Sequence, residues 1–236
     1  MGTLLSKGTT NAKTKKNNLE TFILYLSPYN LNSKGFNICP SASPECAKDC
    51  LFYAGMGSFS NVQKARQNKT EFFLRDKKAF MLSLSYEIMK QYTKAKKQEK
   101  QIAFRLNGTS DIDFVYLLKK HANLDIETLK DYAVFYDYTK VLSRAIRYKA
   151  HKNYFVTFSR SEVNDDEVNE AIKQKINVAV VFKGDFPEKY KGVKVIDSDK
   201  SDLLTIYNKG VVLGLQAKGS LKKSKGNFAI NTELPF

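Results

Sequence analysis

Seven short apolar runs pace this sequence, and each gives way to a polar turn. They are TFILYL (21–26), QIAFRL (101–106), YAVFYDY (132–138), NYFVTFS (153–159), NVAVVF (177–182), VKVID (193–197) and GVVLGLQ (210–216). They are apolar nearly throughout rather than alternating, as strands buried on both faces should be. Helix-period stretches fall between them. Val62, Ala65, Phe72 and Phe73 mark one that starts near residue 59. Phe80, Met81, Leu84, Ile88 and Met89 mark a second over 77–97, with a lysine-rich end that complements the helix dipole. Shorter helices are expected near 114–121 and up to 149. An acidic one is expected over 162–175, capped by Ser161 or by Asn164. Strand, polar loop, helix, repeated with short linkers, predicts a parallel sheet with helices packed outside it. Seven strands are one short of a complete barrel, and no G-x-G-x-x-G turn follows the first. The expectation is therefore an α/β fold, a partial TIM-like (βα)6-7 barrel of parallel strands. It would form one domain over 21–219, after a flexible basic segment (1–20) and before a basic loop and tail (220–236).

The loop after the first strand holds every cysteine of the chain: Cys39, Cys46 and Cys50, spaced C-x6-C-x3-C within NICPSASPECAKDCLFY (37–53). An odd number leaves one thiol outside any disulfide set. A structural zinc typically takes four ligands, and the two histidines, His121 and His151, are distant in sequence. Three thiolates on a short loop suit a cubane cluster with its last iron open to another ligand. The chain is thus expected to carry a [4Fe-4S] cluster on Cys39, Cys46 and Cys50. The alternatives are zinc completed by a distant carboxylate or histidine, or three buried thiols with no metal.

Composition bounds the partners. The net charge of +15 favours nucleic acid or another polyanion, although lysines such as Lys94, Lys96, Lys97 and Lys100 also read as a solvated helix face. No apolar run approaches the ~20 residues of a membrane span, and the start of the chain has no apolar core of signal-peptide length. With unpaired thiols, this points to a reducing host cytosol. No serine elbow, P-loop, H-E-x-x-H or kinase set is present.

In parallel α/β folds, chemistry gathers where strands end at their C-termini. Those ends carry Asn107 and Asp111, Asp137 and Lys140, Ser159 and Arg160, Lys183, Asp197 with Asp199, and Gln216 with Lys218. Each has a mundane use as a helix cap, a turn residue or a solvated lysine. Together they describe a rim around the cysteine loop. Arg160, Lys183 and Lys218 facing Asp111, Asp137 and Asp197 suit a small anionic or zwitterionic ligand. Asn107-Gly108-Thr109-Ser110-Asp111 is the sharpest of these loops, and Gly108 is expected to serve a tight turn.

The stretches FILYLSPYN, NICPSASPECAKDC, NVQKAR, RLNGTSD, FYDYTK, FVTFSRSE, NVAVVFKG, VIDSD and GVVLGLQAKG resemble the phage-encoded gene product 88 family over most of the chain. That resemblance implies a viral or prophage origin. A more distant one is to radical S-adenosylmethionine enzymes, which also place a three-cysteine loop after the first strand of a partial barrel. It implies a cluster on Cys39, Cys46 and Cys50, S-adenosylmethionine at the open iron, and RLNGTSD in the place of a Gly-Gly-Glu turn. The spacing here departs from C-x3-C-x2-C, and Asp49, not an aromatic residue, precedes Cys50. The resemblance therefore extends to architecture and cluster type.

Overall fold

The structure is a computed structural model that describes residues 2–10, 18–50, 52 and 55–232. Among the described residues, ten strands form one mostly parallel sheet. In chain order they are β1 (Leu5–Lys7), β2 (Glu20–Leu24), β3 (Ile102–Arg105), β4 (Ala133–Thr139), β5 (Tyr154–Ser159), β6 (Val178–Lys183), β7 (Lys189–Tyr190), β8 (Val193–Asp197), β9 (Val212–Gln216) and β10 (Ala229–Asn231). The helices are α1 (Pro44–Lys48), α2 (Ser60–Arg75), α3 (Lys77–Lys97), α4 (Phe114–Ala122), α5 (Leu142–Tyr148), α6 (Asp165–Lys173) and α7 (Leu204–Tyr207).

All seven sequence-read strands are present, within two residues of their expected bounds. The spatial order is β1-β2-β3-β4-β5-β6-β9-β8-β7. β1 and β7 run antiparallel to their neighbours, and the sheet does not close on itself. The α/β class and the parallel sheet hold, but a barrel is not formed. The departure lies at β8 and β9. β9 pairs with β6, so β8 is displaced one position outward and the order reverses.

β1, β7 and β10 are additional, and none exceeds three residues. β1 and β10 come from the stretches read as a loose N-terminal segment and a tail. Met1, residues 11–17, Leu51, Tyr53, Ala54 and residues 233–236 lie outside the described residues.

β6 pairs with β9 along Val178–Phe182. On its other edge it meets β5 only at Val178 and Ala179, and β10 takes over at Val181 to Lys183. The sheet therefore splays at its C-terminal end, and the last strand fills the gap.

The larger helices cover one face of the sheet. Phe73, Phe80, Met81, Leu84 and Ile88 pack on Phe104 and Phe135. Phe80 meets Phe73 at 5.3 Å in an edge-on contact, and Phe104 stacks on Phe135 at 4.9 Å. A second cluster under α5 and α6 joins Phe158, Val168, Val180, Phe182 and Val212. On the opposite face Ala103, Val134 and Tyr136 pack on Leu203 beside α7.

Helix α2 departs from its expected apolar stripe. Its buried residues are Arg66, Thr70 and Phe73, while Val62 and Phe72 are half-buried and Ala65 is exposed. In α3, Met89 likewise lies on the exposed side. Helix α6 starts later than expected, and its N-cap is Asn164, the second of the two candidates.

Candidate functional site

The cysteine loop runs over the C-terminal ends of the central strands, and three sets of bonds hold it there. Asp111 N–H donates to the Ile38 carbonyl at 3.0 Å, which ties the loop after β3 to the residue before Cys39. Glu162, just past β5, accepts from Ser43 Oγ at 2.7 Å and from the Glu45 amide at 3.0 Å. Glu45 in turn accepts from the amides of Asn227 and Phe228, at 3.1 and 2.8 Å, just before β10. Ser43 also caps α1 through the Cys46 amide, with Pro44 in the first turn of the helix.

All three thiols are free and half-buried. Cys39 Sγ accepts from the Tyr29 amide at 3.4 Å and points its thiol toward the Thr109 carbonyl at 3.9 Å. Burial pushes its pKa up to about 12, and Asp111, Cys50 and Cys46 add to the rise. Cys50 is also pushed up by burial and by Cys46, while Lys140 and Arg66 pull it down. Three thiols thus share one electrostatic neighbourhood with two cations. Among the described residues, no three His, Cys, Asp or Glu side chains stand arranged to hold a metal ion.

The rim residues divide into three knots. In the first, Asn107 is saturated. Its Nδ2 donates to the Ile112 carbonyl at 2.9 Å and to Asp137 Oδ2 at 3.0 Å, and its Oδ1 accepts from Ser110 Oγ and the Ile112 amide. Asp137, 1 % exposed, also accepts from the Asn107 amide and Tyr154 Oη. Asp111 accepts from the Lys140 amide at 2.9 Å and pairs with Arg144 at 2.7 Å. Gly108 has no positive φ. A Cβ there would stand 2.5 Å from the Tyr25 ring and 2.8 Å from the Leu24 carbonyl, so close approach rather than a special turn requires glycine.

In the second knot, Arg160 donates to the Asn227 and Phe228 carbonyls, and Lys183 to the Ser224 carbonyl. Both hold the C-terminal segment. Ser159 ends β5, and its carbonyl accepts from Asn164 Nδ2. In the third, Asp199 accepts from the Gln216 amide and from Lys218 Nζ, each at 2.7 Å. Gln216 Nε2 reaches the Gly184 carbonyl, and Asp197 accepts from the Asp199 amide. Of the rim residues, Asp111 acts on Cys39 and Lys140 on Cys50.

Two arginines that the sequence reading passed over stand out. Arg105 pairs with Asp202 at 3.2 Å and lies over the Tyr138 ring at 4.9 Å, on the sheet face opposite the large helices. Arg66 is 8 % exposed, and its guanidinium carbon lies 4.6 Å from the Tyr25 ring centre and 5.4 Å from that of Phe52. The signal for Arg66 was its place in NVQKAR. It was masked by the usual solvation of arginine on a helix. A surface groove of about 560 Å³ runs along the outer side of α2, lined by Ser33, Ser60, Gln63, Lys64, Gln67, Asn68 and Glu71. One lysine against one glutamate does not make it a cationic track.

The chain belongs to the gene product 88 family, whose profile matches residues 3–232. No curated protein and no solved structure matches it significantly. A relationship to radical S-adenosylmethionine enzymes receives no support from these comparisons. No helix among the described residues is long and apolar enough to cross a membrane.

Proposed function

We propose that this family member binds a [4Fe-4S] cluster through Cys39, Cys46 and Cys50, with one iron free of cysteine for a small anionic or zwitterionic ligand. The observation that carries the reading is the neighbourhood of the thiols. Three unpaired, half-buried cysteines lie over the C-terminal ends of a parallel sheet, with the cations Lys140 and Arg66 acting on Cys50. The donor chemistry fits. Thiolates are the usual ligands of such clusters, and the buried Arg66, whose Nε and Nη1 have no hydrogen-bond partner among the described residues, suits an anionic sulfur-rich neighbour. The ligands are not preassembled, so loop closure accompanies binding, as is common for metal sites.

When bound, the cluster supplies one-electron transfer and a Lewis-acidic iron. The chain's own residues do the rest. Tyr29 N–H and the Thr109 carbonyl seat Cys39. Glu162 and Glu45 fix the helix that carries Cys46. Lys140 and Arg66 offset the negative charge of the thiolates. S-adenosylmethionine is the ligand that the partial-barrel resemblance suggests for the open iron. Zinc is the competing occupant of the same thiols. In that case the +15 charge would make nucleic acid the leading partner.

Anaerobic purification with iron, sulfide and zinc analysis tests this. About four irons and four sulfides per chain, with a brown colour bleached by dithionite, is the expected result, and Cys46→Ser should lose most of both. A colourless protein holding one zinc would overturn it.

A further inference from the structure

Helix α3 has two apolar sides. On one, Phe80, Met81, Leu84, Ile88 and Ala95 are buried in the core. Across the helix from them, Leu82, Tyr86 and Met89 are 49 %, 70 % and 37 % exposed. Thr93, also exposed, continues their line. The spacing is four, three and four residues, so the four side chains make one narrow seam. It runs for about 17 Å along the helix. A single exposed apolar residue is ordinary, but an aligned set marks a surface for a partner.

Lysines border this seam on both sides. Lys78 and Lys96 lie along one edge, Lys90, Lys94 and Lys97 along the other, and all five are exposed. Among the described residues, none of the five is in an ion pair. The one acidic residue of the helix, Glu87, is taken by the amides of Leu4 and Leu5 at 2.7 and 2.9 Å. Charge flanking an apolar seam selects what can enter it. A second copy of α3 in the seam would set lysine against lysine, whichever way it ran. A phosphate backbone would use the lysines and leave Leu82 and Met89 without a role. A membrane surface takes a broad apolar face, not a single line. An amphipathic helix whose apolar stripe is bordered by Asp and Glu satisfies both features.

We propose that the outer face of α3 docks an acidic amphipathic helix of another protein. The Leu82–Tyr86–Met89 seam supplies the buried contact, and the lysines beside it choose the partner by charge. Tyr86 is the anchor, because tyrosine brings a large apolar area at a low cost in rotamer freedom. This surface shares no residue with the cysteine loop or the strand-end rim, and its docking does not depend on what the thiols hold.

The probe is a fluorescein-labelled synthetic helix with leucine along its seam and glutamate on both flanks, titrated at low salt with the full chain and followed by anisotropy. A matched peptide carries lysine in place of glutamate. The acidic helix should bind and the basic one should not. Leu82→Ser combined with Tyr86→Ser should weaken binding by about tenfold or more, with thermal unfolding unchanged, because both side chains already face water. Lys90→Glu combined with Lys97→Glu should weaken the acidic helix and admit the basic one. No binding of the acidic helix, equal binding of the two peptides, or binding that the serine pair leaves unchanged would overturn the proposal. If the serine variant loses its fold, the lysine reversal decides, and an unreversed preference would overturn it. A single-stranded oligonucleotide that binds where the acidic helix does not would assign the lysines to nucleic acid. A parent chain that dimerises through Leu82 and Tyr86 would assign the seam to a second copy. Either result overturns the proposal as well.

Discussion

Asp137 shows at the scale of one residue how much the rim depends on buried charge. Burial is the largest influence on its carboxyl and lifts its pKa from 3.8 to about 6. Arg144 and the Asn107 hydrogen bonds pull the other way. A carboxyl whose folded pKa lies above its unfolded value binds its proton more tightly in the folded state. Its favourable contribution is complete below about pH 4 and is lost as pH rises through 6. The displacement corresponds to about 3 kcal/mol. Asp137→Asn, which stays neutral throughout, should therefore gain about that much relative to the parent between about pH 4 and pH 7. Urea denaturation at both ends of the window measures it, and a pH-independent difference between the two proteins would refute it. The sequence singled out Asp137, Asn107 and Asp111 correctly as a polar concentration. It could not say that Asn107 and Asp137 use their hydrogen bonds on each other, because the same side chains suit a ligand and a loop equally. Arg66 was missed for the converse reason. A helix-period reading assigns arginine to the solvent face, and only the packed neighbours reveal the burial.

Between elements, the decisive contact is that of β10 with the splayed end of β6. Three residues cannot form a stable strand alone. What holds Ala229–Asn231 in the gap is the set of polar anchors before it: Glu45 on the 227 and 228 amides, Arg160 on the carbonyls of the same residues, and Lys183 on Ser224. Glu45→Ala removes the anchor that joins this segment to the cysteine loop. It should raise amide hydrogen exchange at 224–231 and 44–48 by tenfold or more, a loss of about 1.4 kcal/mol of local stability, while the α3 core stays protected. Unchanged exchange would mean that Arg160 and Lys183 suffice. The seven longer strands were legible because each is a continuous apolar run ended by turn residues. β1, β7 and β10 were not, because pairing with a neighbour, rather than their own composition, makes them strands. The strand reversal at β9 was equally hidden. No local signal tells VKVID that GVVLGLQ will enter the sheet inside it.

Across the whole molecule, the helix-side core comes in two parts. One gathers around Phe80, Phe104 and Phe114 and the other around Phe158, Val180 and Phe182, and Val156 on β5 borders both. A chain so divided needs ties across the division if it is to unfold as one unit. The buried ion pair of Asp111 with Arg144 is such a tie. It joins the loop after β3 to α5, and both side chains are largely removed from water. Burial alone would lower the Arg144 pKa, but Asp111, Tyr154 and Asp137 more than offset it and hold the guanidinium firmly charged. Removing one member of a buried pair leaves the other uncompensated and typically costs about 3–5 kcal/mol. Arg144→Met should lose stability on that scale. Because the tie spans the division, its loss should also lower the cooperativity of unfolding, seen as a reduced denaturant slope or as probes on the two parts that no longer coincide. Coincident transitions with an unchanged slope would show that β4–β5 pairing alone couples the halves. The same pair braces Asp111 against the Lys140 amide beside the cysteine loop. Arg144→Met combined with the iron analysis therefore asks whether the loop can hold its thiols once the sheet beneath it is no longer tied together.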